Sequence, residues 1–435
     1  MKQLTRIRGR LQRLSVLVLA LAAGCAAPPP ATNGQDAGAP GQASAPPEAR
    51  PAAPVVRPGI DVLLAGGAAP LLGKRVGLIT NHTGLTASGE STADRLARHP
   101  GLQLVALFGP EHGIRGQAAG GEKIPSGRDP ATGLPVYSLY GDTRKPTPEM
   151  LRGIDVLVFD IQDIGARYYT YVWTMALAME AAAEHNIPFV VLDRPNPIGG
   201  ELVQGNVLDP KHRSFVGLYP VPMRHGMTAG ELARWINDEH RLGVDLTVVP
   251  AEGWRRDLWY DETGLPWVPP SPNMPSVEAA THYPGTCLFE ATNLSVGRGT
   301  PRAFEQIGAP WLDHVTLAQR MDDYGFPGVR FEPVTFTPIN PDDRKYPGQL
   351  VRGIRFIVTD RSSYDPTIVA VAAMVEIQRL HPGRFVIHGA LDRLAGTDEL
   401  RKQILAGASV EEITAPWAAQ IAAFRRTRDE YLLYP

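Results

Sequence analysis

Cysteine is almost missing: the 435 residues hold two, Cys25 and Cys287. Cys25 ends a leader, as argued below, so no internal disulfide can cross-link the chain, and Cys287 has no histidine at the spacing of a metal site. Other marks of common chemistry are lacking too. There is no H-E-x-x-H, no C-x-x-C and no G-x-S-x-G, which removes the usual signatures of zinc hydrolases and of acyl transfer from a nucleophile elbow. No strand-like run is followed by G-x-G-x-x-G, so no nucleotide cofactor is expected. The formal charge of −2 spreads no basic field that nucleic acid would require. No period of about 20 to 50 residues recurs, which excludes a repeat architecture.

What is present begins with an address. Lys2, Arg6, Arg8, Arg10 and Arg13 precede the apolar run "LSVLVLALAAG" (14–24), which falls short of the roughly 20 residues of a membrane span and matches a signal-peptide core. Small residues lead into Cys25 in "LAAGC", a lipobox-like cleavage and acylation site. Residues 1–25 are therefore read as a lipoprotein signal peptide and lipobox, and 26–57, rich in proline and alanine, as a disordered tether. A lipid anchor on a tether places the protein in the cell envelope, facing the periplasm. Ala26 after the cysteine points, by analogy with enterobacterial sorting, to the outer membrane.

Beyond the tether, short apolar runs alternate with helical spacing. "KRVGLIT", "LQLVALF", "IDVLVFDIQD" and "IPFVVLDRPNP" read as parallel strands, with "TADRLARHP" and "TYVWTMALAMEAAAEHN" as helices between them. The expected fold is α/β: a Rossmann-like, mostly parallel sheet domain over 58–281 and a second, smaller α+β domain over 282–435 that completes a cleft. Two domains suit the length, since single cores stop growing near about 250 to 300 residues. The turn-rich stretch from Pro269 to Trp311 reads as a binding segment crossing between them.

Polar residues collect at the carboxyl ends of the runs, where open α/β sheets border their ligand crevice. Glu111 and His112 follow a Gly-Pro turn in "LFGPEHGIRG", a placement in which a carboxylate can transfer protons. Asp160 and Asp163 close the third run, and Arg167 and Tyr168 follow with a guanidinium fork and an aromatic face. Asn196 stands in "LDRPNPIGG". His225 precedes a helix whose start, Thr228 with Glu231 at N3, reads as a capping box.

Taken in order, "GLITNHTG", "LFGPEHGIRG", "YSLYGDTRKPT", "FDIQDIGARYYTYVWTM", "LDRPNPIGG", "PPSPNMPS", "YPGTCLFEATNLSVGRGT" and "GAPW" resemble the bacterial exo-β-N-acetylmuramidases, a glycoside hydrolase family first known as a domain of unknown function. The resemblance runs from about Gly59 to the end of the chain. It implies an active site between two domains, release of N-acetylmuramic acid from non-reducing ends of peptidoglycan fragments such as muropeptides or disaccharides, and Glu111 as catalytic carboxylate. It leaves the second catalytic group open. Glycoside cleavage normally needs an acid and a second carboxylate, though an N-acetyl sugar can offer its own acetamide as nucleophile. Candidates are Asp160, Asp163 and Glu290, then His112 and Tyr168. Muramic acid carries a lactyl carboxylate, for which Arg115, Arg167 and Arg298 are the available forks. Asn81, Asn196, Asn273 and Asn293, with His225, offer donors and acceptors to hydroxyls and acetamide. Two other readings stay open: a peptidoglycan-binding lipoprotein without activity, and a hydrolase of another acylated amino sugar.

Overall fold

Apolar residues that alternate along each strand go to opposite faces of one buried sheet, and both faces are apolar because both are covered. The computed structural model describes residues 56–116, 118 and 121–435. The leader and tether over 1–55, with Cys25, lie outside the described residues. Arg57, at the tether's expected end, is already paired with Glu252, and Val56 is buried.

The sheet contains β1 (Arg75–Thr80), β2 (Gln103–Gly109), β3 (Gly127–Arg128), β4 (Pro135–Ser138), β5 (Val156–Asp160) and β6 (Phe189–Leu192). A separate antiparallel pair, β7 (Gln204–Val207) and β8 (Pro222–Arg224), precedes its last strand, β9 (Leu246–Val249). The order is β3-β4-β2-β1-β5-β6-β9, parallel except for β3 against β4. Leu78, Leu107, Val156 and Val158 pack on one face against the helices Gly59–Ala65 and Thr92–Ala97. Ile79, Phe108, Leu157 and Phe159 pack on the other against the helix Tyr171–Glu184. Val172, Met175, Ala176 and Met179 of that helix are fully buried.

The C-terminal region is smaller and mixed. β10 (Gln306–Ala309), β11 (Val329–Phe336) and β12 (Val351–Val358) form an antiparallel sheet in the order β10-β12-β11, flanked by the helices His314–Asp323 and Pro366–Leu380. The fold class expected from sequence is the one observed. The boundary expected at 281/282 falls inside a helix, Val277–Thr286, and one hydrophobic core continues from Phe159 and Trp173 through Tyr283 and Phe304 to Ile354 and Met374.

That helix lies within the turn-rich segment 269–311, whose composition did not announce it. Ser276 caps it by accepting from the Ala279 amide, and Pro284, which has no N–H to give the Ala280 carbonyl, falls in its final turn, so only the end of the helix is affected. Gly285 lets it approach the next helix: a Cβ there would stand 1.9 Å from the Pro366 carbonyl oxygen.

The chain passes from β1 toward β2 on one side and from β5 toward β6 on the other, so the crevice of an open sheet belongs between β1 and β5. Here that place is filled. Asp160, at the end of β5, takes Arg194 in a fork, Nε at 2.5 Å and Nη2 at 3.0 Å, and the Thr92 hydroxyl at 2.5 Å. Both ionic side chains are buried. Asp160 therefore holds strands together and does not line a cleft, which corrects its place among the catalytic candidates.

Asp163, Asn196, His225 and Arg167 are corrected on similar grounds. Asp163 accepts from the Gly165 amide at 2.7 Å, and burial pushes its carboxyl up to about 7. His225 Nε2 lies 3.7 Å from it, but burial holds the imidazole down to about 3, so the contact is between neutral partners near pH 6. Asn196 bridges the Met227 carbonyl and the Ile198 amide, a loop-fixing role. Arg167 is fully buried and donates to the Asn206 and Val221 carbonyls at 2.8 and 2.9 Å and to those of Ala395 and Leu394 at 2.7 and 3.1 Å. It ties the sheet region to the C-terminal helix Ala390–Ala395.

Removing one partner of a buried ion pair costs about 3–5 kcal/mol. Asp160→Asn should lower chemical-denaturation stability by that amount, while the folded fraction keeps its activity. Asp163 acts through pH. Its folded pKa lies above the unfolded value, so the unfolded state gives up its proton first, and stability falls as pH rises from about 4 to about 7. Melting curves of Asp163→Asn and wild type, compared across that window, should therefore diverge in favour of the variant as pH rises.

Candidate active site

A cleft of about 170 Å³ lies beside the β2 and β5 ends, under the helical segment 277–291. Its lining is polar and aromatic: Glu111 and His112 after β2, Tyr140 after β4, Tyr168 to Tyr171 after β5, and Ser271, Asn273, Tyr283, Cys287, Glu290, Arg298 and Phe304 from the turn-rich segment.

The opening turn is built to present Glu111. β2 ends at Gly109, Pro110 stops the ladder, and His112 then adopts a left-handed φ of 69°, a strained conformation for a side-chain-bearing residue. Gly116 closes the turn against His82, whose ring would stand 2.2 Å from a Cβ there. Glu111 is half-buried and accepts from the Thr170 hydroxyl at 2.9 Å and the Gly121 amide at 2.9 Å. Tyr140 adds its hydroxyl; burial, then the Glu111 charge and that hydrogen bond, push the phenol up to about 12. The His112 Nδ1 lies 2.8 Å from the Ala118 carbonyl, to which it can only donate, so the neutral ring keeps Nε2 as an acceptor.

The facing wall is ionic. Glu290 pairs with Arg298, which also forks onto Asp342 at 2.9 and 3.0 Å. Asn273 joins through its amide, 2.7 Å from Asp342. The cleft thus holds two carboxylates in different states: Glu290 is neutralised by a guanidinium, while Glu111 is held by hydroxyl and amide donors and forms no ion pair among the described residues.

Between these walls Tyr169 meets Tyr171 and Tyr283 edge-on at 5.1 and 5.7 Å, and Tyr283 meets Phe304 at 4.7 Å. The tyrosines also hold the backbone. Tyr168 donates to the Pro284 carbonyl, and Tyr171 to that of Pro270 at 2.6 Å. An apolar, rigid floor with polar edges suits a sugar ring.

Of the residues expected from sequence, the structure brings Glu111, His112, Tyr168, Asn273, Glu290 and Arg298 to this cleft. It places others elsewhere. Arg115 is forked onto buried Asp129 at 2.8 and 3.0 Å and reaches Asp94, so it braces the loop. Asn81 accepts from the Thr83 amide and hydroxyl at 2.9 and 2.6 Å. Asn293 bridges the Arg384 carbonyl and the Val386 amide. Tyr140, Thr170 and Tyr283 were missed. Tyr140 lay in a motif already noted, "YSLYGDTRKPT", but Tyr283 carries no local signal because its role depends on a helix docking across the sheet edge.

The models of a single family match nearly all of the described chain. One, described as exo-beta-N-acetylmuramidase NamZ, N-terminal, covers residues 76–278, and its C-terminal counterpart covers 281–434. A Bacillus subtilis (strain 168) protein named peptidoglycan beta-N-acetylmuramidase NamZ is 48% identical over 363 residues, 83% of this chain and 87% of that one. Two crystal structures of DUF1343 family proteins from Bacteroides fragilis NCTC 9343 share the fold. They superpose with TM-scores of 0.83 and 0.68 at 40% and 34% identity, each over 87% of this chain and 99% of the other. With both family models in sequence order, and the "PEHG" turn at the cleft, the chain belongs to the exo-β-N-acetylmuramidase NamZ family.

Proposed function

We propose that the protein is an exo-acting glycoside hydrolase that releases N-acetylmuramic acid from the non-reducing ends of peptidoglycan fragments, in cell-wall turnover, with Glu111 transferring the proton. The observation that carries this reading is the contrast between the two cleft carboxylates: Glu290 is committed to Arg298, whereas Glu111 accepts from neutral donors and forms no ion pair among the described residues. Family membership supplies the substrate class.

A single free carboxylate favours a route in which the substrate supplies the other group. Glu111 protonates the departing glycosidic oxygen while the acetamide oxygen closes on C1. Glu111, now ionised, then takes a proton from the water that opens the ring so formed. The Glu290–Arg298–Asp342 chain and Asn273 orient the sugar, and His112 Nε2 accepts from a hydroxyl.

The envelope location is part of the same proposal. "LAAGC" and the tether behind it support an acylated Cys25 that holds the enzyme at a membrane, facing the periplasm, with Ala26 favouring the outer membrane. Among the described residues no helix is long and apolar enough to cross a membrane.

Two measurements test these points. General acid–base assistance is worth about 10²- to 10⁴-fold, so Glu111→Gln should lower kcat on a natural disaccharide by that factor, and less on a nitrophenyl muramide whose leaving group needs little protonation. A folded variant within about threefold of wild type on both substrates removes Glu111 from the chemistry. Mass spectrometry of the membrane fraction should find a mature chain starting at acylated Cys25; a soluble protein that retains Met1 ends the anchoring idea.

A further inference from the structure

The function proposed above requires a cation for the lactyl carboxylate, and the three arginines expected to supply it are engaged. Arg115 is committed to Asp129 and Asp94, Arg167 to four backbone carbonyls, and Arg298 to Glu290 and Asp342. Two lysines on the chain either side of Tyr140 are paired as well: Lys145 with Glu180 and Glu184, Lys123 with Asp142.

Arg144 differs. It is exposed, and among the described residues no hydrogen bond or ion pair holds its guanidinium. It lies instead against two rings, its central carbon 4.1 Å from the centre of Phe215 and 5.5 Å from that of Tyr140. The rings are 5.9 Å apart and tilted by 47°. Tyr140 lines the cleft and donates to Glu111, and Val216, the neighbour of Phe215, lines it too. Aromatic contact restrains a guanidinium without using its in-plane N–H donors, so Arg144 is positioned at the cleft rim with its carboxylate-binding fork open.

We propose that Arg144 is the specificity-determining cation of this cleft, reading the lactyl carboxylate of the muramic acid unit. It recognises charge and takes no part in bond cleavage, so its removal changes KM and leaves kcat nearly intact. The assignment rests on the glycosidase reading above, and its test separates the two. The probes are a chromogenic β-N-acetylmuramide and the same compound with its lactyl carboxylate converted to the carboxamide. Wild type should favour the acid, and Arg144→Met should raise KM for the acid by roughly 5- to 30-fold while leaving the carboxamide unchanged, the magnitude of a partly solvated charge-assisted contact. Arg144→Lys, which retains charge but not the fork, should fall between them. The side chain is exposed, so the variants should melt with wild type. An unchanged preference for the acid in Arg144→Met overturns the assignment while hydrolysis stands. A wild type inactive on both probes overturns the function and this proposal together.

Discussion

The ion pair between Asp160 and Arg194 decides where a ligand can go. An open parallel sheet offers its crevice where the chain reverses direction, between β1 and β5, and in this protein a buried carboxylate and a buried guanidinium occupy it. The pair reaches outward as well: Thr92 donates to the carboxylate, and Arg194 also donates to the Leu85 carbonyl at 2.7 Å, so the loop after β1 and the helix behind it are fixed to the ends of β5 and β6. Two ions in so dry a place are tolerable only because each is hydrogen-bonded, and the loss of either would leave the other stranded. With that crevice closed, the cleft lies beside it, lined by residues that follow β2, β4 and β5.

Displacement alone would leave a shallow edge; the C-terminal half makes it a cleft. Arg167 reaches across to the carbonyls of Leu394 and Ala395, Tyr168 donates to that of Pro284, and the shared core runs without a break from one half to the other. The result is a wall set against Glu111 by packed aromatic rings and backbone hydrogen bonds, and such walls hold geometry better than mobile loops do. The electrostatics follow from the same arrangement. Glu290 is brought to the cleft together with its own countercharge, whereas Glu111 arrives with hydroxyl and amide donors and no ion pair among the described residues.

Much of this could be read from the residues in order. The alternation of apolar runs with helical spacing specified a parallel sheet, because strands buried on both faces must be apolar throughout. "GPEHG" marked its own turn, since only a chain forced out of its ladder at once would need Gly-Pro before and glycine after. The capping box at Thr228 and Glu231 is likewise local chemistry and is observed. The helix within 269–311 was hidden because turn-forming residues surround a short stretch with no clear apolar face, buried at every position but Glu278, and docking against Pro366–Leu380 settled the contest in its favour.

The sequence by itself determined the strands and helices of the parallel sheet, the family and the turn that places Glu111 after β2, because these depend on residues near one another in the chain or on ordered motifs. Which polar residues face substrate was decided only by the tertiary structure. Asp160, Asp163, Arg115 and Arg167 have the same credentials as Glu111 and Arg298 when read along the chain: polar, at strand ends, among glycines and prolines. What separates three of them is the partner each meets 14 to 228 positions away, Arg194 for Asp160, Asp129 for Arg115, the Ala395 carbonyl for Arg167. A buried charge must be satisfied by something, and whether that something is protein or substrate is a property of the packed chain.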